Sequence, residues 1–108
     1  MTGEYVQVLT TTEARDEAES IAGALTEPRL AACVQILGPV TSTYRRKGKV
    51  ETAEEWLCII KSRKALYGQV ERAIKAINSY ETPEMIALPI IAGSAAYLNW
   101  LDGSTSAD

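Results

Sequence analysis

The chain has no histidine, and that one absence removes more chemistry than any residue present supplies. Ser-His-Asp triads, Cys-His pairs, HExxH zinc sites and imidazole proton shuttles are all excluded. Cysteine is scarce as well: Cys33 and Cys58 stand far apart with no CxxC spacing, which rules out a structural zinc site. There is no glycine-rich phosphate loop. No run approaches the roughly 20 apolar residues that span a bilayer, and Met1 to Tyr5 lacks the basic start and apolar core of a secretory leader. A basic surplus is missing too. Eleven Lys and Arg face 14 Asp and Glu, for a net charge of −3, so nucleic-acid loading through phosphate contacts is not expected. These absences describe a cytoplasmic chain with reduced thiols and no membrane partner.

What is present is a domain-sized pattern. In 108 residues with 46% apolar side chains there is material for one core, so residues 1–108 read as a single domain. Residues 5–10 are a short β-branched and aromatic strand. Thr10 and Glu13 have capping-box spacing ahead of a helix whose stripe is Ala14, Ala18, Ile21, Ala22 and Leu25, closed by Pro28. Leu30 to Leu37 is a second strand. Gly38-Pro39 interrupts it, as at a bulge or a sheet edge, and Val40 to Tyr44 resumes it. Arg45-Arg46-Lys47-Gly48-Lys49 forms a hairpin tip. Val50 to Lys61 is a long strand, with Trp56, Cys58 and Ile60 on one face and Leu57 and Ile59 on the other. Leu66, Val70, Ala73, Ile74 and Ile77 stripe a second helix from Lys64 to about Asn78. Ser79 to Pro83 breaks it, Met85 to Ile91 is a fourth strand, and Ser94 caps a short helix that includes Leu98, Trp100 and Leu101. Gly103 to Asp108 reads as a frayed polar tail.

The order β-α-β-β-α-β predicts an α+β, ferredoxin-like split βαβ fold: a four-stranded antiparallel sheet, two packed helices and a short C-terminal helix. Two helices cover one face of such a sheet, and the other face is then usually polar. Here strands two to four are apolar on both faces, and 108 residues hold no further layer. A homo-oligomer packed through its sheets follows.

Few side chains offer chemistry. Lys61 lies in line with Glu55 on one strand face, either as an anion or carbonyl site or as half of a cross-strand ion pair. Tyr80 and Glu84 flank the break after helix two, lining a cleft or simply filling a turn. Folding the second and third strands about the basic tip places Cys33 on the face of Cys58. There the two thiols either hold a soft ion such as Cu(I) or act as small core hydrophobes. Trp56 and Trp100 read as packing aromatics. Neither a nucleophile nor a cofactor motif accompanies the acid and base residues, so an enzyme is not expected.

Taken together, Leu30-Ala31-Ala32-Cys33-Val34, Ser42-Thr43-Tyr44, Gly48-Lys49, Glu55, Ile60-Lys61, Tyr80-Glu81-Thr82-Pro83-Glu84, Ala87-Leu88-Pro89-Ile90 and Tyr97-Leu98-Asn99-Trp100-Leu101 resemble the CutA divalent-cation-tolerance family over residues 5–101. The resemblance implies a homotrimer that contributes to metal-ion tolerance, with copper or zinc as a weakly held ion and no required cofactor. Its ligand pocket would comprise Glu55, Lys61, Tyr80 and Glu84, with Cys33 and Glu84 as metal ligands. The alternative is a trimer that senses a small anionic ligand, with Lys61 as its charge partner. The chain departs from the family at three places. Asn78-Ser79 stand where a histidine is usual, Arg46 where a tryptophan is common, and Thr10-Thr11 where a metal-ligand cysteine ends the first strand.

Overall fold

Alternation along Tyr5–Thr12 (β1) sends Val6, Val8, Thr10 and Thr12 to one side and Gln7, Leu9 and Thr11 to the other, and the rest of the chain is arranged about that strand. A computed structural model describes residues 4–106. After β1 come α1 (Arg15–Thr26), β2 (Cys33–Arg46), β3 (Lys49–Arg63), a single 3-10 turn (Lys64–Leu66) that runs into α2 (Tyr67–Ile77), β4 (Ile86–Pro89) and α3 (Ala95–Gly103). The sheet order is β2-β3-β1-β4 with every pair antiparallel, which is the predicted ferredoxin-like topology. Helices α1 and α2 pack on each other and on one face of the sheet. Val8, Cys58 and Ile60 from the strands meet Ile21 and Leu25 of α1 and Leu66, Val70 and Ile74 of the second helical segment, all fully buried.

Local signals were overruled at both ends. The capping box does not form: β1 continues to Thr12, Ala14 is the N-cap, and no side chain caps α1. Thr10 and Thr12 are instead held in the ladder opposite Cys58 and Trp56, so pairing wins over capping. Asp16 and Glu17 in the first turn still complement the helix dipole. At the C-terminus, Ser94 caps α3 as predicted, accepting from the Tyr97 amide at 3.2 Å. The segment after it is not frayed as far as residue 106. Thr105 is buried and accepts from Arg63 Nε at 2.9 Å. The Ser106 amide donates to the Arg29 carbonyl, the Arg29 side chain donates to the Gly103 carbonyl, and Tyr5 donates to Asp102. Residues 107 and 108 lie outside the described residues.

The β2–β3 hairpin turns at Lys47-Gly48, both with positive φ, as a two-residue turn that follows the strand twist requires. Its outer part, from Val40 to Glu55, runs beyond the last β1 pair at Trp56 and is a two-stranded arm. Between Leu37 and Val40 the register shifts: Gly38 and Pro39 together stand against Trp56. A bulge on an edge strand is one of the settings that tolerate proline. The bulge also corrects the expectation for the cysteines. Counting straight back from the Arg46–Lys49 pair would set Cys33 opposite Ser62, on the Cys58 face. The extra residue moves Cys33 opposite Lys61, while Cys58 pairs with Ile36. One residue of slip turns a side chain to the other face, so the two thiols lie on opposite sides of the sheet and cannot share an ion within the chain.

Among the described residues α1 and α2 leave the second face uncovered, and α3 with the segment after it reaches only its end, at Tyr5 and Arg63. Leu9, Leu57 and Ile59 are half-buried there, and Leu37, Ile86 and Leu88 are 46%, 49% and 43% exposed. β4 is shorter than the apolar run 85–91: its ladder with β1 runs from Val6 to Leu9, and beyond it the Ile90 amide donates to the Tyr5 carbonyl.

Candidate functional site

Three pieces of chain converge where β1 ends. Thr11 closes the open-face row of β1, the arm brings Glu55 at its root and Tyr44 farther out, and the α2–β4 connection brings Ser79 to Glu84. Between them lies an open cleft of about 1080 Å³, with Arg45, Arg46 and Lys47 of the hairpin tip on its far wall.

The connection is held rather than loose. Asn78 follows the last residue of α2 and is buried. Its Nδ2 donates to the Thr11 carbonyl at 2.9 Å, and its Oδ1 accepts from the Tyr80 amide at 2.9 Å, an Asx turn that fixes the chain direction. The Ser79 amide donates to Glu17 Oε1 at 2.9 Å, and its hydroxyl donates to Glu17 and Glu13. Tyr80 is thereby turned toward Glu55. Burial, the hydrogen bond to Glu55 and the Glu55 charge all raise the phenol well above its ordinary value; it stays protonated and donates to the carboxylate. Glu55 itself is only 8% exposed. No lysine or arginine forms an ion pair with it among the described residues.

The expected pocket residues divide into two groups. Glu55, Tyr80 and Glu84 line the cleft, Glu84 on its exposed rim. Lys61 does not join them. It stands on the same face of β3 as Glu55 but six residues on, about 20 Å at ~3.3 Å per residue, and its Nζ donates to Gln35 Oε1 at 2.9 Å. That contact also replaces the Lys61 ion pair considered from the sequence. Cys33 is the cross-strand neighbour of Lys61, so Cys33 and Glu84 are not brought together as a ligand pair. Among the described residues no three of His, Cys, Asp and Glu are grouped to hold a metal ion. Cys58 is fully buried on the helix side, where burial pushes its thiol up to about 11.

Sequence reasoning missed the positioning role of Asn78 and the part played by the hairpin tip. An Asn directly after a helical stripe was the available signal for the first. For the second, the tip is 30 residues or more from Tyr80 in sequence, and only the strand register brings it near. Thr11 and Ser79, one from each of the stretches Thr10-Thr11 and Asn78-Ser79 where the resemblance would place a thiol and an imidazole, do meet in this cleft. Both carry hydroxyls here.

Comparison with known proteins agrees with this architecture. The family model described as CutA1 divalent ion tolerance protein matches residues 6–104. The divalent-cation tolerance protein CutA of Thermus thermophilus is 41% identical over 98 residues, covering 91% of this chain and 95% of that protein. Protein CutA 1, chloroplastic, of Oryza sativa subsp. japonica is 40% identical over 100 residues, covering 93% of this chain and 56% of that protein. The chain thus spans about half the length of that longer relative. The crystal structure of CutA1 from the psychrotrophic bacterium Shewanella sp. SIB1 superposes with a TM-score of 0.94 at 36% identity, covering 99% of this chain and 100% of that one. The chain belongs to the CutA family of non-enzymatic divalent-cation tolerance proteins.

Proposed function

We infer that the chain acts as a cytoplasmic homotrimer that contributes to tolerance of divalent cations, with the cleft at Glu55 as its cation-facing site. The observation that carries this reading is the open sheet face. Leu9, Leu37, Leu57, Ile59, Ile86 and Leu88 form an apolar surface with no layer above it among the described residues, and a patch of that kind calls for a partner surface. Thr11 and Glu55 continue the same face, so the cleft sits at the rim of the surface that assembly would cover. A threefold arrangement is the one that the family resemblance implies.

The donors in the cleft bear on which ion it takes. Thiol and imidazole are absent, leaving the Glu55 and Glu84 carboxylates with phenol and hydroxyl oxygens. Oxygen ligands of this kind suit hard cations such as magnesium, manganese or calcium, and do not fit tight holding of Cu(I), Cu(II) or zinc. Binding is therefore weak, with Glu55 and Glu84 as the anionic donors.

Light scattering on the wild type and on the Ile86→Glu/Leu88→Glu double variant, with calorimetry in manganese and in copper, tests the reading. The expected result is a mass of three chains that falls in the variant, with manganese binding weakened by Glu84→Ala and unchanged by Cys33→Ser. A monomeric wild type would overturn the assembly. Cation binding that survives Glu84→Ala and disappears in Cys33→Ser would overturn the site.

A further inference from the structure

Glu55 and Lys61 are opposite charges on one face of β3, and neither meets its counterpart within the chain. Glu55 is only 8% exposed and accepts from the Tyr80 phenol. A carboxylate has about four acceptor positions, so one phenol leaves most of them open, and a charge taken out of water is costly until an opposite charge meets it. No basic side chain does so among the described residues. Lys61 is half-buried. It gives one donor to Gln35 Oε1, and no carboxylate pairs with it among the described residues. The other cations of the open face are committed elsewhere or lie far out on the arm. Arg63 is 3.8 Å from Asp102, Arg46 is 4.0 Å from Glu51, and Lys49 is exposed beside the turn. Lys61 stands instead inside the apolar surface. Its cross-strand row reads Leu88, Gln7, Lys61 and Cys33, and Ile59 is its neighbour along the strand on the same face. Any contact that covers this surface strips water from the ammonium as well.

We propose that Lys61 of one copy of the chain reaches the cleft of the next and pairs with Glu55 there, so that each site is completed by a neighbouring chain. In a closed ring the contact is head-to-tail, and two different patches of one chain face each other at every interface. A cation and an anion about 20 Å apart on one strand face suit that requirement. The separation that prevents pairing within a chain lets each charge meet its opposite on a neighbour. The pairing rests on the proposed assembly, and it gives a further reason for weak cation holding, since an entering ion has to displace the ammonium. Tyr80, fixed by the Asn78 turn, holds the Glu55 carboxylate in place for either partner.

The experiment is a double-mutant cycle read on association. Light scattering follows a dilution series of the full chain in a chelating buffer, at a fixed urea concentration that brings the wild type into its dissociation range. The cycle compares the wild type, Lys61→Glu, Glu55→Gln and the two combined. Sites this far apart within one chain, with no shared partner, contribute additively, so coupling between them reports contact between chains. Lys61→Glu sets two carboxylates against each other and should raise the concentration of half-dissociation about tenfold or more. In the Glu55→Gln background the same change should raise it several-fold less. Lys61→Arg, which keeps the charge, should associate nearly as the wild type does, and so should Lys75→Glu, an exposed control on α2. Additive effects of Lys61→Glu and Glu55→Gln would overturn the pairing and leave the assembly standing. So would Lys61→Glu behaving like Lys75→Glu, a comparison that needs no Glu55 variant to fold. A wild type that is monomeric without urea would remove the assembly and the pairing together.

Discussion

The two faces of the sheet are built from the same strands and have opposite fates. On the helix side Val8, Cys58 and Ile60 are fully buried by α1 and α2. On the other side Leu9, Leu57 and Ile59 are sequence neighbours of those residues, yet they remain half-exposed beside Leu37, Ile86 and Leu88. An ordinary two-layer fold would make the second row polar. Keeping it apolar makes one face answer to folding within the chain and leaves the other as the face on which the proposed assembly rests. The cleft sits at the end of that second face, away from the helix-covered core.

Ile60 and Ile59 give the sharpest way to break the comparison, because they are adjacent and point apart. Ile60→Ala leaves a cavity in the sealed core and should cost about 2–5 kcal/mol in denaturant unfolding, whatever the protein concentration. Ile59→Ala should instead show a concentration-dependent loss, since assembly stabilises by mass action. Equal and concentration-independent effects at both positions would mean that the open face is not an interface.

A smaller effect tests how the bulge sets the faces. Gly38 lies against the Trp56 ring, and a Cβ built there falls 2.8 Å from its Cδ2 and closer still to Cε3. Arg15 stacks on that ring, 5.3 Å from its centroid. Gly38→Ala must therefore move the indole or the bulge, at a cost of about 1–3 kcal/mol by the usual scale of overpacking. Retention of full stability, measured by chemical unfolding, would mean that the ring yields freely and does not pin the register.

That bulge also marks where sequence reasoning stopped. Element order, the two-sided apolar strands, the hairpin tip and the Ser94 cap were legible because each is written in local spacing. The facing of Cys33 was not, since proline at an edge announces an irregularity without saying that exactly one residue is gained across it. The site was legible as residue types, in Glu55, Tyr80 and Glu84. It was not legible as geometry, because Lys61 shares the Glu55 face yet lies about 20 Å along the strand. Likewise the buried Thr105 looked like a free tail, since the Arg63 that receives it is 42 residues away.

The smallest predicted effect tests the covered face through its thiol. Cys58, sealed beneath the helices, has its thiol raised by burial from about 9 to about 11, while its unfolded counterpart ionises at the ordinary value. Between those values the native state keeps a proton that the unfolded chain gives up, so rising pH favours unfolding. The contribution is complete below about pH 9 and is gone once pH has risen through 11. Burial also raises Tyr67 and Tyr5 above their ordinary value of 10.0, so alkaline loss persists after Cys58 is removed. Melting temperatures from pH 8 to 11 should therefore fall more steeply for the wild type than for Cys58→Ala, whose curve starts lower and runs flatter. Parallel curves for Cys58→Ala would mean that solvent reaches the thiol and that the helix-covered face is not sealed at that strand position.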